Sequence, residues 1–164
     1  MTVRSPDQDP AYWNLLVSLL RRHPIETVMD APPVKTRCTA VMAQNRRYKK
    51  LLEEFTEVRG RVSITDFRSL SPPPAGNRFL VYSLFPETGV NVKIHNHPKD
   101  AGKVVVHLGH SIFNRKCRVN VGLLLSRFEG GGHRGAGAAT FAKEKADDYI
   151  PRIIEALEKN EPNE

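Results

Sequence analysis

Residues 119–137 read VNVGLLLSRFEGGGHRGAG, and this stretch decides how the rest of the chain is interpreted. It opens with the apolar pattern of a helix over residues 119–128 and continues with five glycines among the eight residues 130–137. Because glycine has no side chain, a ligand can approach the main-chain N–H groups of such a loop closely, which suits the loop to anions. His133 and Arg134 add side-chain donors that can hold a phosphate. The stretch therefore predicts a phosphate-binding loop rather than a plain flexible turn.

Upstream of this stretch the apolar residues recur at every second position, which is typical of strands. The predicted strands cover residues 61–68, 79–85, 90–96 and 103–111. Three turns separate them: a proline-rich segment over 71–77, a tight hairpin at 87–89 and a loop over 98–102. Downstream we expect a short strand at 138–141 and a final helix over 144–159, which Pro151 should kink or divide.

The first 60 residues have helical periodicity. Asp9 is a good N-cap residue with Pro10 in the first turn, and the helix that follows should end near His23. The longest helix should begin after Pro33 and stop at Gly60. Its apolar seam has the spacing of a surface that packs against another helix. That seam consists of Val34, Cys38, Val41, Asn45, Tyr48, Leu52 and Phe55. A seam that instead joins two copies of the chain into a homodimer is an open alternative.

These elements predict one architecture. A helical lead-in over residues 1–60 is followed by an α/β domain over residues 61–164. The domain is built on a mixed, largely antiparallel sheet flanked by helices. The lead-in has the character of a linker between domains, which favours a piece of a longer protein over a stand-alone domain.

The composition is that of a globular protein, with 40% hydrophobic and 26% charged residues. No segment has the roughly 20 consecutive apolar residues that cross a bilayer. The first ten residues are polar, so they lack the apolar core of a secretory signal. We therefore expect a cytoplasmic protein with no membrane partner. Cys38 and Cys117 are too few for a disulfide framework, and both are expected to be free thiols.

The charge is unevenly distributed. Lys and Arg number 25 against 18 Asp and Glu, which gives a formal net charge of +7. The cations cluster at Arg46, Arg47, Lys49 and Lys50 and at Arg115, Lys116 and Arg118. Such clusters favour a polyanionic partner, although a solvated surface that keeps the protein in solution is the simpler alternative.

Two motifs make the sequence recognisable. Gly130-Gly131-Gly132-His133, after a helix introduced by Val119-Asn120-Val121-Gly122, resembles the signature of the DHH-associated C-terminal domain of DHH-family phosphoesterases. This domain occurs in RecJ-like single-strand exonucleases, oligoribonucleases, cyclic-dinucleotide phosphodiesterases and exopolyphosphatase-like proteins. The segment 109–115, GHSIFNR, resembles the exopolyphosphatase-like branch. The resemblance covers roughly residues 77–141, and the helical lead-in is similar to the segment between the two domains of such enzymes.

The resemblance implies a division of labour. In the family, an N-terminal DHH domain holds two divalent metal ions, Mn or Mg, that activate water for attack on a phosphodiester. The C-terminal domain closes over the substrate and grips its phosphate or nucleotide. No Asp-His-His triplet occurs in this sequence. We therefore expect no catalytic residue, metal site or cofactor in this chain, which would be inactive alone, and an N-terminal DHH catalytic domain as its partner.

The substrate-binding residues that match the family motif are Gly130, Gly131, Gly132 and His133, with Arg134 beside them. Many family members also have an arginine near the end of the strand that precedes the helix, where this chain has Gly109 and His110. His110, Asn114 or Arg115 is expected to replace it. Strand parity puts His107 and His110 on opposite faces, so at most one of them should line the glycine loop. His110 is the better candidate, because it ends the strand that leads into the loop region.

The implied ligand is rich in phosphate: a short oligonucleotide, a nucleotide or polyphosphate. An alternative from another class is a stand-alone nucleic-acid-binding module similar to the C-terminal domain of alanyl-tRNA synthetase. His95 and His97 point to one face of a strand and could form two arms of a zinc site, but the sequence supplies no further ligand.

Overall fold

The computed structural model describes residues 6–163. The chain divides into two compact units, Met1–Arg47 and Tyr48–Glu164. Part of the polar N-terminus, residues 1–5, lies outside the described residues. Within the described part, every helix is too short or too polar to cross a bilayer.

The described residues form six helices, six strands and one short 3-10 turn. The helices are α1 (Pro10–Arg22), α2 (Ile25–Asp30), α3 (Pro32–Phe55), α4 (Leu80–Leu84), α5 (Val121–Ser126) and α6 (Ala146–Lys159), which follows the 3-10 turn Lys143–Lys145. The strands are β1 (Thr56–Arg59), β2 (Val62–Asp66), β3 (Val90–Asn96), β4 (Lys103–His110), β5 (Gly130–His133) and β6 (Ala136–Ala142).

The first unit packs α1 and α2 against the start of α3. The Asp9 side chain accepts a hydrogen bond from the Tyr12 N–H at 3.3 Å, so the predicted N-cap is confirmed. Tyr12, Val28 and Val34 form the small core. The Arg37 guanidinium bonds the Asp9 carboxylate at 2.6 Å and lies 3.7 Å from the centroid of the Tyr12 ring. One arginine thus links the cap of α1 to its buried tyrosine.

The second unit is built on one six-stranded sheet of order β1-β2-β3-β4-β6-β5. Only the pairing of β2 with β3 is parallel, and the other four pairings are antiparallel. Helices lie on both faces. The predicted fold class, a mixed and largely antiparallel sheet flanked by helices, is confirmed.

The two faces of the sheet carry different cores. One face buries an apolar layer from β2, β3, β4 and β6 under α5 and α6, including Val92, Val106, Phe141, Leu125 and Ile153. The end of α3, α4 and Phe67 form a smaller aromatic cluster. Its buried members are Tyr48, Leu52, Phe67, Val81 and Tyr82.

The prediction of a strand over 79–85 is wrong, because residues Leu80–Leu84 form helix α4. The cause is the parallel pairing of β2 with β3, since parallel neighbours need a crossover connection and cannot be joined by a hairpin. The predicted tight hairpin at 87–89 is wrong for the same reason. This segment leads from α4 into β3, and the Gly89 N–H donates to the Arg61 carbonyl at 2.8 Å.

Gly60 does not end the long helix, which stops at Phe55. It occupies the turn between β1 and β2 with a φ of 54°, a conformation that suits glycine. The end of the predicted seam packs within the unit, where Leu52 is 2% exposed in the aromatic cluster. The homodimer stays a prediction.

Two further expectations need correction. Residues Gly130–His133 are not an irregular loop, because they form β5, which pairs with β6 as an antiparallel hairpin at the sheet edge. Pro151 does not divide the last helix, since α6 runs continuously through it. Cys38 and Cys117 are free, as predicted.

Candidate functional site

A cavity of about 700 Å³ lies against the sheet face opposite the large core. The middle strands β3 and β4 form its floor, and α4 with the end of α3 forms one wall. The β5–β6 hairpin closes the other side through Gly132, His133 and Gly135. Thus the hairpin that carries the glycine-histidine motif faces a large concave site.

The floor of the cavity carries basic side chains. Lys93 and His107 face each other across β3 and β4 in register. They stand on this face because the intervening residues Val92, Ile94 and Val106 point into the core. Arg78 contributes a guanidinium from the segment before α4. No Asp or Glu is among the described residues that line the cavity. This arrangement favours an anionic ligand.

Burial lowers the pKa values of the two basic side chains on the cavity floor. It lowers the pKa of the Lys93 amine, and the nearby Arg78 charge adds to that effect. Burial, together with the charges of Lys93 and His95, lowers the pKa of His107 to about 4. His107 is therefore neutral at pH 7. The rings of His95 and His107 stack with centroids 5.3 Å apart.

The other polar groups of this face satisfy one another. The Asn91 amide donates to the Ser63 carbonyl at 3.0 Å and to the Thr65 hydroxyl at 3.1 Å. Ser63 and Thr65 are fully buried. By contrast, Lys93 makes no hydrogen bond or ion pair with any residue in the described range. Its amine is not among the buried side-chain nitrogen and oxygen atoms that lack a hydrogen-bond partner, so it reaches the open space of the cavity, where a ligand can contact it.

The glycines of the hairpin have two different roles. A Cβ added at Gly130 would lie 2.5 Å from the Ala138 carbonyl oxygen, and one at Gly122 would lie 2.5 Å from the Gly132 oxygen. These glycines allow β5, β6 and α5 to pack closely. At Gly131, however, a Cβ would meet no atom within 4 Å. Gly131 is opposite Ala138, which lines the cavity, so the open space is on the cavity face.

His133 and His110 both line the cavity, as does His107. His110 lies beside the hairpin, since a Cβ added at Gly135 would lie 3.7 Å from the His110 Nδ1. The expectation that at most one of His107 and His110 lines the glycine hairpin stays a prediction. The His110 Nε2 lies 3.0 Å from the Val119 carbonyl oxygen, so this nitrogen donates. Burial lowers the pKa of His110 against the raising effect of that bond. The neutral ring then presents only an acceptor at Nδ1.

The remaining predicted site residues do not line the cavity. The Asn114 amide donates to the Glu87 carbonyl at 2.7 Å, so the side chain is bonded to the segment between α4 and β3. Arg115 is exposed on the segment after β4. Arg134 is exposed in the turn of the hairpin, and its carbonyl accepts from the Val121 N–H at 2.9 Å. Gly130 and Gly131 belong to the hairpin, but only Gly132 of the three lines the cavity.

Sequence reasoning missed Arg78 and Lys93. A signal was present, since Lys93 alternates with Val92 and Ile94 and thus stands on the polar face of a half-buried strand. Which groups meet there depends on the register of β3 with β4, which is not local. Residues 6–163 contain no group of three or more His, Cys, Asp or Glu that could hold a metal ion, so the alternative of a zinc site at His95 and His97 gains no further ligand there.

The lowered pKa of His107 predicts a specific pH dependence of stability. In the unfolded chain this histidine titrates near its ordinary value of about 6.5. Between pH 6.5 and 4 the unfolded state binds more protons, so the free energy of unfolding falls as the pH falls. After allowance for solvent screening of a half-buried ring, we expect a loss of about 1 kcal/mol between pH 7 and 5.

Urea unfolding of the wild type and His107→Gln at pH 7 and pH 5 measures this effect. The variant should lose about 1 kcal/mol less than the wild type over that interval. Equal losses in both proteins would show that His107 titrates in the folded state as it does in the unfolded chain.

Comparison with known proteins agrees with this architecture. No protein-family model and no curated protein matches the chain. Among solved structures, the pGpG-specific phosphodiesterase PggH from Vibrio cholerae is similar, with a TM-score of 0.84 and 26% identity over 91% of this chain and 51% of that one.

Two further structures share the fold at lower identity. A DHH-domain protein described as a member of a family of ribosomal proteins has a TM-score of 0.57 and 18% identity, over 86% of this chain and 35% of that one. An exopolyphosphatase-related protein from Bacteroides fragilis has a TM-score of 0.52 and 11% identity, over 91% and 44% of the two chains. The C-Ala domain of Aquifex aeolicus alanyl-tRNA synthetase has a TM-score of only 0.42 and 18% identity, over 63% of this chain and 97% of that one.

The chain spans about half the length of the phosphodiesterase and less of the other two proteins. The match to that phosphodiesterase extends over both the helical lead-in and the α/β domain. The predicted resemblance to the DHH-associated domain of DHH-family phosphoesterases is therefore confirmed.

Proposed function

We propose that this chain is the substrate-binding part of a DHH-type, metal-dependent phosphoesterase. Its cavity binds the phosphate end of a nucleotide or a short oligonucleotide, with Lys93 and Arg78 as the cations and His133 as a further donor. The family likeness supports the reaction class, and the charge of the cavity supports the phosphate.

The observation that carries the proposal is the half-buried Lys93. It lies on the cavity floor without a carboxylate among the described residues that line the site. A phosphate oxygen placed beside it would gain a charge-assisted hydrogen bond in a partly desolvated environment. Such a bond would offset the cost of burying the amine.

The metal ions of the proposed enzyme do not fit the described residues. Since residues 6–163 lack a cluster of three metal-ligating side chains, no reaction step is assigned to this chain. Manganese or magnesium, held by an N-terminal DHH domain, stays a prediction for the complete enzyme. This chain would bind and orient the ligand for that centre.

The Gly131→Ala variant tests ligand binding separately from folding. Gly131→Ala places a methyl group in open space on the cavity face, so the free energy of unfolding should stay within about 0.5 kcal/mol of the wild type. If a phosphate approaches this main chain, the methyl group should weaken binding by about tenfold. Calorimetry and urea unfolding measure the two quantities. The matched variant, Gly130→Ala, should lose stability, because its methyl group would meet the Ala138 carbonyl.

The proposed function is tested by calorimetric titration of the chain, without added metal, with a 5′-phosphorylated dinucleotide. The same dinucleotide without the terminal phosphate serves as the ligand control. Only the phosphorylated form should bind, and His133→Ala should weaken it by about tenfold. Arg115→Ala is the matched control, since Arg115 is exposed and outside the cavity.

The same titration distinguishes the proposed function from the alternative, a stand-alone nucleic-acid-binding module. A stand-alone nucleic-acid-binding module would bind longer oligonucleotides more tightly and would not need a terminal phosphate. Equal affinity for both dinucleotides, or no effect of His133→Ala, would contradict the proposed role of the cavity.

A further inference from the structure

One peptide group, between residues 119 and 120, joins the cavity to the segment that follows α6. Its carbonyl, that of Val119, accepts a hydrogen bond from the Nε2 of His110 at 3.0 Å, and His110 lines the cavity. Its N–H, that of Asn120, donates to the side-chain oxygen of Asn163 at 2.7 Å. Because a peptide group is planar, the bond at one end fixes the direction of the group at the other end.

The Asn163 side chain bonds this part of the chain at a second point. Its amide donates to the Asn120 carbonyl at 3.1 Å. The Asn120 side chain in turn accepts a hydrogen bond from the Leu123 N–H at 3.3 Å and so caps α5. Asn163 therefore holds the residue that begins α5, together with the peptide group that contacts His110.

A second asparagine binds the same stretch two residues earlier. Asn160 ends α6 in the left-handed conformation, with a φ of 53°, which Asn adopts more readily than most residues. Its side-chain oxygen accepts from the Arg118 N–H at 2.8 Å, and its amide donates to the Lys116 carbonyl at 3.1 Å. Each of the two asparagines thus bonds one N–H and one carbonyl, as the backbone of a neighbouring strand would.

Burial does not explain the bonds of Asn163. Glu161 and Pro162 are exposed, so the chain has left the core before it reaches Asn163. The side chain of Val119 is buried and anchors the stretch before α5 by packing. The Asn163 bonds therefore add orientation of the 119–120 peptide group rather than burial. Hydrogen bonds that run in series through one peptide also strengthen each other.

We propose that Asn163 is a positioning residue for the ligand site: through the 119–120 peptide group it holds His110 in the tautomer that carries its proton on Nε2. Nδ1 is then the acceptor, and it faces the hairpin, since a Cβ added at Gly135 would lie 3.7 Å from it. A neutral ring with an acceptor at this point suits a hydroxyl group of the ligand. This inference rests on the proposed function, which places a phosphorylated ligand in the cavity.

The ¹⁵N chemical shifts of the His110 ring, measured in the ligand-free chain at pH 7, report the tautomer. His110→Gln identifies the two signals. In the wild type, Nε2 should have the shift of a protonated nitrogen and Nδ1 that of an acceptor. Asn163→Ala should move both shifts toward the mixture of tautomers that an unconstrained ring adopts. Glu161→Ala is the matched control, because Glu161 is exposed in the same segment and does not line the cavity.

Calorimetry with the 5′-phosphorylated dinucleotide supplies a second readout. Asn163→Ala should weaken binding by about threefold to tenfold, which is the effect of one hydrogen bond. The same substitution in a His110→Ala background should cause no further loss, because a positioning residue acts only through the residue that it positions.

An unchanged tautomer in Asn163→Ala, or an equal loss of affinity with and without His110, would overturn the inference and leave the proposed function standing. Absence of dinucleotide binding by the wild type would overturn the proposed function and the ligand role of His110 with it. The ring shifts need no ligand, so they would still show whether Asn163 sets the tautomer. Far-ultraviolet circular dichroism of each variant checks that it is folded.

Discussion

Replacing Lys93 by methionine should weaken the binding of a 5′-phosphorylated dinucleotide by about 10- to 100-fold. The loss corresponds to one charge-assisted hydrogen bond in a partly buried site, about 1.5–3 kcal/mol. The same variant should raise the free energy of unfolding, because methionine removes a half-buried cation that has no partner among the described residues and keeps most of the side-chain volume. Calorimetry and urea unfolding measure the two effects.

The opposite signs of the two effects are the essential part of this prediction. If Lys93 had a purely structural role, its replacement would lower the free energy of unfolding and would not specifically weaken binding of the dinucleotide. Lys143→Met is the matched control, since Lys143 is exposed and lies outside the cavity. Unchanged affinity in Lys93→Met would remove the floor of the cavity from the binding site.

Replacing Phe67 by alanine should cost about 3–5 kcal/mol of unfolding free energy. Phe67 is fully buried, and its ring centroid lies 6.0 Å from that of Tyr48 and 5.8 Å from that of Phe55. It is the centre of the cluster that holds α4 and the end of α3 together. Those two helices form a wall of the cavity, so ligand binding should weaken as well.

Urea unfolding with Phe113→Ala as the control checks this prediction. Phe113 is largely exposed, and its removal should change stability by less than about 0.5 kcal/mol. A loss below about 1 kcal/mol in Phe67→Ala would mean that the cluster is not tightly packed.

The burial of Leu52 in the same cluster also affects how the predicted dimer seam can be tested. Charged residues at Leu52 would disrupt this core, so they cannot serve as a test of dimerisation.

The sequence predicted the regular parts of the fold where one face of an element is buried. β3 was predicted with its observed bounds, because its apolar residues alternate strictly with polar ones. The N-cap of α1 was predicted correctly from Asp9, because a capping hydrogen bond joins residues only three positions apart. Such features depend on neighbours within a few positions, which the sequence displays directly.

The prediction failed where distant pairing decides the structure. Residues 79–85 read FLVYSLF, a short apolar run that fits either a helix or a strand. The choice follows from the parallel pairing of β2 with β3, which no local pattern reveals. Likewise the glycines at 130–132 were interpreted as a loop, although Gly130 allows close packing and only Gly131 has open space at its Cβ.

The candidate site was predicted in part. Gly132 and His133 were predicted from the motif, and His110 was one of the expected replacements for the family arginine; all three line the cavity. Lys93 and Arg78 were missed because they reach the cavity through strand register and through the crossover before α4. Asn114 was predicted as a substitute for the family arginine, but its amide donates to the Glu87 carbonyl instead.

The proposed function places a phosphorylated ligand in the cavity between the β5–β6 hairpin and the floor formed by β3 and β4. Nuclear magnetic resonance of the ¹⁵N-labelled chain, titrated with a 5′-phosphorylated dinucleotide, tests it most directly. We expect the largest amide shift changes at Gly131, Gly132 and His133 and on the strands around Lys93 and His107. Shift changes confined to the basic segment 115–118, or no changes at millimolar ligand, would contradict it.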